Sequence, residues 1–319
     1  MKPVVGVDVG ATNIRAAAVE GDGRCGPVLK RAVPEGRSPE DVAQAVAALC
    51  VEAAAGAAPE AVGVGLAGWL EADTGLVYNG PNLGWRDAPF GSLLRAALPG
   101  TEVVVVNDLR AIAWGEHLFG AGAGAKVLLV VFLGSGIGSC VIVDGRPLAG
   151  ASNIACEIGH TRIVPPAEGR QCGCGQLGCL EAYAGGHNIE RRVRQDLEAG
   201  VSTWILDLAS GDVESVTCGT VDQAAAAGDP YSVALWDEVS AYLGQSLGSM
   251  ITFLNPDRLI LGGGVWDGSP ELRARTVERI ERSASPQAFA ACALVAPTLG
   301  DQAGIAGAAA LARARPTPP

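Results

Sequence analysis

The chain has 319 residues, 49% of them hydrophobic and 18% charged, a balance that folds and leaves no room for long disordered tails beyond the terminal ARPTPP. A formal net charge of −11 argues against a general nucleic-acid or anionic-membrane surface, since either needs a clustered Lys/Arg face, and it favours small-molecule partners. The length suits roughly two domains.

The opening MKPVVGVDVG turns glycine-rich at once, so no charged segment followed by an apolar one can be drawn for secretion, and a cytoplasmic protein is expected. PVVGVDV reads as a short strand and IRAAAVE as the returning strand of a hairpin. The turn between them, GATN after Asp8, offers a carboxylate, a hydroxyl and backbone N–H groups to a phosphate or its magnesium; an ordinary tight turn is the competing explanation.

Ser38 is placed to cap a helix with Pro39 in its first turn and Asp41 at the third position, running to Gly56. AVGVGLAGWL (61–70) reads as a second buried strand running into a glycine-bearing loop, and PNLGW (81–85) puts Asn82 among turn formers, where a turn role competes with ligand binding. The apolar strand 103–106 leads directly into Asn107, Asp108 and a helix. Ligands of open α/β sheets gather at such carboxyl ends, although an N-cap role also accounts for an Asp there.

The glycines of 119–126 are a candidate hinge, and VLLVVFLGSGIGSCVIVDG then repeats the opening pattern of strand, glycine turn and strand. The apolar run Val127–Val143 is broken by that turn and is too short for a membrane helix, which needs about 20 residues. Two phosphate-sized turns, each between strands, are what a duplicated nucleotide clamp looks like, with Gly134, Ser135 and Gly136 bringing backbone close to phosphate.

The stretch Glu157–Glu181 holds the most concentrated chemistry. Nine cysteines in a reducing cytosol are poor candidates for a disulfide framework, and three of them form the C-x-C-x4-C cluster Cys172, Cys174, Cys179 just after His160. These four residues suit a closed Cys3His zinc site, which is structural because it leaves no open position. Cys25, Cys50, Cys140, Cys156, Cys218 and Cys292 share no spacing and read as small buried apolar residues. Beyond lie amphipathic helices at 187–200 and 230–255 with a shorter one between, a strand at 258–261 ending in Gly262, Gly263 and Gly264, a last strand at 291–297 and a last helix.

DVGATNIR, PNLGW, NDLRAIAWGE, LGSGIG, EIGH, CGCGQLGCLE and LILGGG occur in an order and spacing that resembles the ROK sugar kinases, in particular their glucokinase branch, from residue 4 to about 310. The resemblance implies an α/β, actin-like ATPase (ribonuclease H-like) fold, with MgATP and a hexose meeting in the cleft of two α/β domains. Expected boundaries are 1–118 plus about 301–319 for the small domain and 119–300 for the large one. It further implies phosphoryl transfer from ATP to the 6-hydroxyl of glucose, with Asp108 as general base and Asn82, Asn107, Asp108, Glu157, His160 and Glu181 binding the sugar. Asp8, Gly10, Ala11, Thr12 and Asn13 match the first phosphate loop, Gly134, Ser135 and Gly136 the second, and Gly262, Gly263 and Gly264 the adenosine contact. Structural zinc, magnesium with ATP and a homodimer or homotetramer are the implied cofactors and assembly. A kinase for mannose or an N-acetylhexosamine, and a sugar-sensing regulator of the same family, are the alternatives. Ala11, Cys156 and the pair Gly68-Trp69 depart from the commonest pattern, where glycine is frequent at 11 and 156.

Overall fold

A computed structural model describes residues 2–71 and 73–314 and contains, among them, thirteen strands and twelve α-helices. The first sheet is built from β1 (Val4–Val9), β2 (Asn13–Val19), β3 (Leu29–Ala32), β4 (Ala61–Leu66) and β8 (Glu102–Asn107). Between β4 and β8 the chain forms a small antiparallel sheet of β5 (Trp69–Leu70), β6 (Val77–Gly80) and β7 (Trp85–Ala88). The second large sheet has β9 (Val127–Leu133), β10 (Ile137–Val143), β11 (Arg146–Pro147), β12 (Arg258–Gly262) and β13 (Ala293–Val295).

The sheet orders are β3-β2-β1-β4-β8 and β11-β10-β9-β12-β13, which is one pattern used twice. β1 pairs antiparallel with β2 and parallel with β4, and β9 pairs parallel with β12, so each sheet sets a hairpin beside parallel strands. The two glycine turns singled out in the sequence are the two hairpin turns. No helix among the described residues is long and apolar enough to cross a membrane, and the Val127–Val143 run is β9 and β10 with a turn between them.

The chain packs as two compact units, one formed by residues up to Lys126, by 140–156 and by Pro297 onward, the other by 127–139 and 157–296. Residues 119–126, 140–156 and 297–300, grouped by the sequence expectation with the second domain, go with the first. Side-chain anchors explain this. The fully buried Glu116 accepts hydrogen bonds from the backbone N–H groups of Ala121 (2.8 Å), Thr298 (2.9 Å) and Leu299 (2.8 Å). Asn153 bonds the Arg110 guanidinium and donates to the Leu70 carbonyl at 2.9 Å.

The first unit carries α1 (Pro39–Ala53), α2 (Phe90–Ala97), α3 (Asp108–Phe119) and α12 (Ala303–Ala314). Ser38 caps α1 as its sequence requires, its hydroxyl accepting from the Asp41 N–H at 3.1 Å. The strand expected from residue 61 is β4, and the chain turns into the short β5 at Gly68, whose φ is 143° and where a Cβ would lie 2.3 Å from the Asn79 carbonyl oxygen. Of the ARPTPP tail, Ala314 ends α12 and the rest lies outside the described residues.

The helix α12 is almost all small residues, and this is what lets it lie directly on backbone. A Cβ on Gly6 would sit 1.9 Å from the Ile305 carbonyl oxygen, one on Gly63 1.8 Å from that of Ala308, and one on Gly115 2.4 Å from that of Ala303. Strands β1 and β4 and helix α3 are thereby held against one helix at backbone distance, with Val4, Ala17, Ala61, Ile305, Ala309 and Ala312 filling the contact.

The second unit adds α4 (Glu181–Ala184), α5 (Gly186–Glu198), α6 (Ile205–Leu208), α7 (Cys218–Ala226), α8 (Pro230–Leu254), α9 (Gly264–Gly268), α10 (Pro270–Ser283) and α11 (Pro286–Ala291). The long α8 starts at Asp229, whose carboxylate accepts from the Ser232 N–H, and stops at Asn255 in the left-handed conformation, φ 45°.

Gly63→Ala is expected to lower stability by about 2–3 kcal/mol or to prevent folding, since carbonyl backbone has nowhere to move. Gly36→Ala, where nothing lies within 4 Å of the added atom, serves as the control and should leave the thermal midpoint unchanged.

Candidate active site

In the first unit the residues singled out by sequence gather at one carboxyl edge. β1, β4 and β8 run parallel, with Asp8 level with Gly65 and Leu66 level with Asn107, so Asp8 at the end of β1 and Asp108 after β8 emerge on the same side of the sheet. Gly65 keeps the space between them small: a Cβ there would be 3.5 Å from the Asp108 Cα and 3.4 Å from the Ala111 Cβ.

The helix cap at this edge is Asn107, whose Oδ1 accepts from the Arg110 N–H at 3.1 Å while its Nδ2 donates to the Gly68 carbonyl at 3.2 Å. Asp108 is therefore the first residue of α3 rather than its cap, and its Oδ1 accepts a local bond from the Leu109 N–H at 2.8 Å. Burial raises its pKa, against the pull of the Leu109 N–H and its own. Burial first, then Asp108, push the Asp8 carboxyl up from 3.8 to about 6, with Arg15 opposing and Asp301 adding. Arg15 faces Asp8 across the β1–β2 pair.

The turn after Asp8 is tight. Gly10 donates its N–H to the Asn13 carbonyl at 3.0 Å, and the Asn13 Nδ2 donates to the Thr12 Oγ1 at 2.8 Å, which presents the hydroxyl and the Ala11 and Thr12 backbone outward. Asn82 lies in the β6–β7 turn with its side chain exposed, and its carbonyl accepts from Arg37 at 3.3 Å. Three residues at this edge escaped the sequence reading: Arg110 and Asn153, which bond each other, and Asp301, which faces Arg15 at 3.4 Å. The helical phase of Arg110, one turn from the cap, was the available signal; the partners come from distant chain segments.

In the second unit the turn of Gly134, Ser135 and Gly136 closes with a Gly134 N–H to Gly136 carbonyl bond of 3.0 Å. Glu181 is its neighbour: Oε2 accepts from the Ile137 N–H at 2.8 Å, and a Cβ on Gly136 would sit 2.5 Å from that oxygen. A side chain on Gly136 would thus displace the Glu181 carboxylate from its bond to Ile137, while a Cβ on Gly134 would meet nothing within 4 Å. The carbonyls of Gly134 and Ser135 accept from the N–H groups of Gly186 (3.0 Å) and His187 (2.9 Å) at the start of α5. Gly263, at φ 105°, packs where a Cβ would lie 2.5 Å from the Leu133 carbonyl oxygen, so it too is demanded by packing, and Gly264 is open.

His160 closes the short 3-10 turn that begins at Ile158. Its Nδ1 lies 3.6 Å from the Cys172 Sγ and its Nε2 3.9 Å from the Glu157 Oε2, so the two ring nitrogens face different ways. The ligand atoms of His160, Cys172, Cys174 and Cys179 all lie within 4.8 Å of one another, with Cys174 and Cys179 sulfurs 3.7 Å apart. A tetrahedral zinc with Zn–S of about 2.3 Å and Zn–N of about 2.0–2.1 Å demands edges of roughly 3.5–3.8 Å, so the donor set fits. Burial, with neighbouring thiols, pushes Cys172 up to about 12 and raises Cys179, so these thiols keep their protons unless a cation displaces them. The loop is shaped by a Cys172 N–H to Gln176 carbonyl bond of 2.9 Å and by Gly178 at φ 80°, where a Cβ would lie 2.1 Å from the Val164 carbonyl oxygen.

The duplicated hairpin sheets, a glycine turn in each and an acidic carboxyl edge define an α/β protein of the actin-like ATPase class. The chain belongs to the ROK family, whose model matches residues 4–315. A glucokinase of Streptomyces coelicolor is 33% identical over 312 residues, covering 97% of each chain. Among solved structures, a ROK family glucokinase from Streptomyces griseus in complex with glucose and AMPPNP is 34% identical, with a TM-score of 0.81 over 98% of this chain and all of the other. A ROK hexokinase from Thermus thermophilus is 32% identical, with a TM-score of 0.82 over 98% of each.

Of the departures from the commonest family pattern, Cys156 has a backbone consequence: its φ of 72° is in the left-handed region, which explains why glycine is frequent there.

Asp8 allows a stability prediction with a definite sign. Its pKa is higher folded than unfolded, so the folded state binds the extra proton, and stability is lost as pH rises from about 4 to about 6. Asp8→Asn is expected to raise the thermal midpoint at pH 8, by about 1–3 kcal/mol equivalent, with the difference vanishing below pH 4.

Proposed function

We propose that this chain, a sugar kinase by its family and by kinase relatives that span nearly its whole length, is an ATP-dependent hexokinase transferring the γ-phosphoryl group of MgATP to the 6-hydroxyl of glucose. The observation that carries the assignment of the base is the division of labour at β8: Asn107 caps the helix, so the half-buried Asp108, its pKa raised by desolvation, is left to accept a proton.

Phosphoryl transfer through a loose transition state leaves the protein mainly to position groups and neutralise charge. Asp108 accepts the proton of the attacking hydroxyl as its oxygen meets phosphorus. Asn107 uses its Oδ1 and one Nδ2 hydrogen internally, so its remaining N–H is the one for a sugar hydroxyl. Glu181 uses Oε2 on Ile137, and its Oε1, which accepts from the Cys172 thiol at 3.9 Å, is the oxygen left for a sugar hydroxyl once that thiol is bound to zinc. With Asn82, Asp108, Glu157 and the Nε2 of His160, these groups supply the paired donors and acceptors that reject an analogue lacking one hydroxyl.

The turn of Gly10, Ala11, Thr12 and Asn13 and that of Gly134, Ser135 and Gly136 hold the phosphates, and Gly262, Gly263 and Gly264 lie against adenosine. Asp8 and the Thr12 hydroxyl are hard oxygen donors suited to magnesium, which when bound with ATP neutralises phosphate charge. Zinc on His160, Cys172, Cys174 and Cys179 is a brace: it would fix the His160 tautomer and the hairpin leading into Glu181.

Asp108→Asn is expected to keep sugar affinity within a few-fold while turnover falls by ~10²–10⁴. ADP release measured over a panel of hexoses, with ATP and polyphosphate as donors, tests the substrate: the highest kcat/KM belongs to glucose with ATP, and a preference for mannose or an N-acetylhexosamine would replace that assignment. Unimpaired turnover of Asp108→Asn would refute the base.

Cys174→Ser is expected to lose one equivalent of zinc by metal analysis, to lower the thermal midpoint and to weaken sugar affinity. Absence of zinc from freshly purified, never-chelated protein would contradict the brace.

A further inference from the structure

Behind the zinc hairpin, on the second unit, lies a concavity of about 570 Å³ lined by Arg170, Gln171, Asn188, Arg191, Arg192 and Gln195, with Ala182 and Asp196 completing the wall. In a chain of net charge −11, three guanidinium groups around one hollow call for a reason. Part of it is an ion-pair chain: Glu238 on α8 accepts from Arg170 (3.3 Å) and Arg192 (2.8 Å), Arg192 lies 3.6 Å from Asp196, and Asp196 accepts from the Tyr231 hydroxyl at 2.6 Å. Arg170 is also clamped from behind, its guanidinium 4.6 Å from the Tyr183 ring centroid and its backbone N–H donating to the Tyr183 hydroxyl at 2.9 Å.

That chain accounts for two of the three arginines and not for the third. Among the described residues Arg191 pairs with no carboxylate; its Nη2 donates to the Asn188 Oδ1 at 2.7 Å, which turns the head toward the hollow's rim. The amides of Gln171 and Gln195 add neutral donors and acceptors. The lining thus combines one guanidinium fork without a carboxylate partner, Arg191, which matches a tetrahedral oxyanion bidentately, and two guanidinium groups held in place beside it by Glu238 and Asp196, with amides suited to hydroxyl groups.

We propose that this hollow binds a small phosphomonoester dianion, at a site separate from the residues assigned above to sugar and ATP. It sits on the backbone that carries them: Gln171 precedes the zinc ligand Cys172, Ala182 follows Glu181, and the Asn188 Nδ2 donates to the Glu181 carbonyl at 2.9 Å. An occupant would therefore bear on the hairpin and on α4 without touching substrate.

The test is calorimetric titration of the intact protein with inorganic phosphate, with glycerol 3-phosphate and with sulfate, compared with the variants Arg191→Gln and Arg282→Gln. Arg191 is exposed, so its replacement leaves the fold intact, which circular dichroism checks; Arg282 is an exposed arginine of α10 whose pairing is only to Glu278. Expected is saturable 1:1 binding of glycerol 3-phosphate, tighter than phosphate and sulfate, weakened roughly tenfold by Arg191→Gln and unmoved by Arg282→Gln. No saturable binding up to about 10 mM, or binding that Arg191→Gln leaves unchanged, would overturn the site. Equal affinity for sulfate would overturn the phosphomonoester assignment. Neither result depends on which sugar the enzyme phosphorylates.

Discussion

The first unit depends on a contact made possible by missing atoms. Helix α12 lies on β1, β4 and α3 with carbonyl oxygens where the Cβ atoms of Gly6, Gly63 and Gly115 would be, so one helix from the end of the chain sets the spacing of three elements from its beginning. Asp8 is the last residue but one of β1, and Asp108 begins α3. Their proximity, which contributes to the raised pKa of Asp8, follows from backbone packed at a distance that no larger residue tolerates.

The second unit is organised by a carboxylate. Glu181 is the last residue of the cysteine-rich stretch and the first of α4, and its Oε2 holds the Ile137 N–H at the foot of the glycine turn. The candidate metal-ligand cluster and the phosphate-sized turn are therefore joined through one side chain, whose carboxylate lies where a Cβ on Gly136 would be.

The buried Glu116 and the Arg110–Asn153 pair show a third use of polar groups: pinning chain segments to the unit that holds Asp108. Glu116 satisfies the N–H groups of Ala121, Thr298 and Leu299 at zero exposure, an arrangement in which the carboxylate replaces water for three backbone donors. The segment 140–156 is held likewise through Asn153, which is why the glycines of 119–126 do not mark the boundary by themselves.

The sequence by itself determined what is local. The Ser38 cap, the hairpin turns at Gly10 and Gly134, the strand before Asn107 and the Cys3His spacing each rest on residues a few positions apart, whose propensities and donor chemistry act within one turn or loop. Tertiary structure decided what rests on residues far apart in the chain. It made Asn107 rather than Asp108 the cap, gave Glu181 a backbone partner 44 positions away, and set Asp301 against Arg15. It also moved 140–156 into the first unit and gathered three arginines of the hairpin and α5 around a hollow. Hydrogen bonds and burial across such separations leave no periodicity or spacing to read, because the partner is chosen by the packing of whole elements.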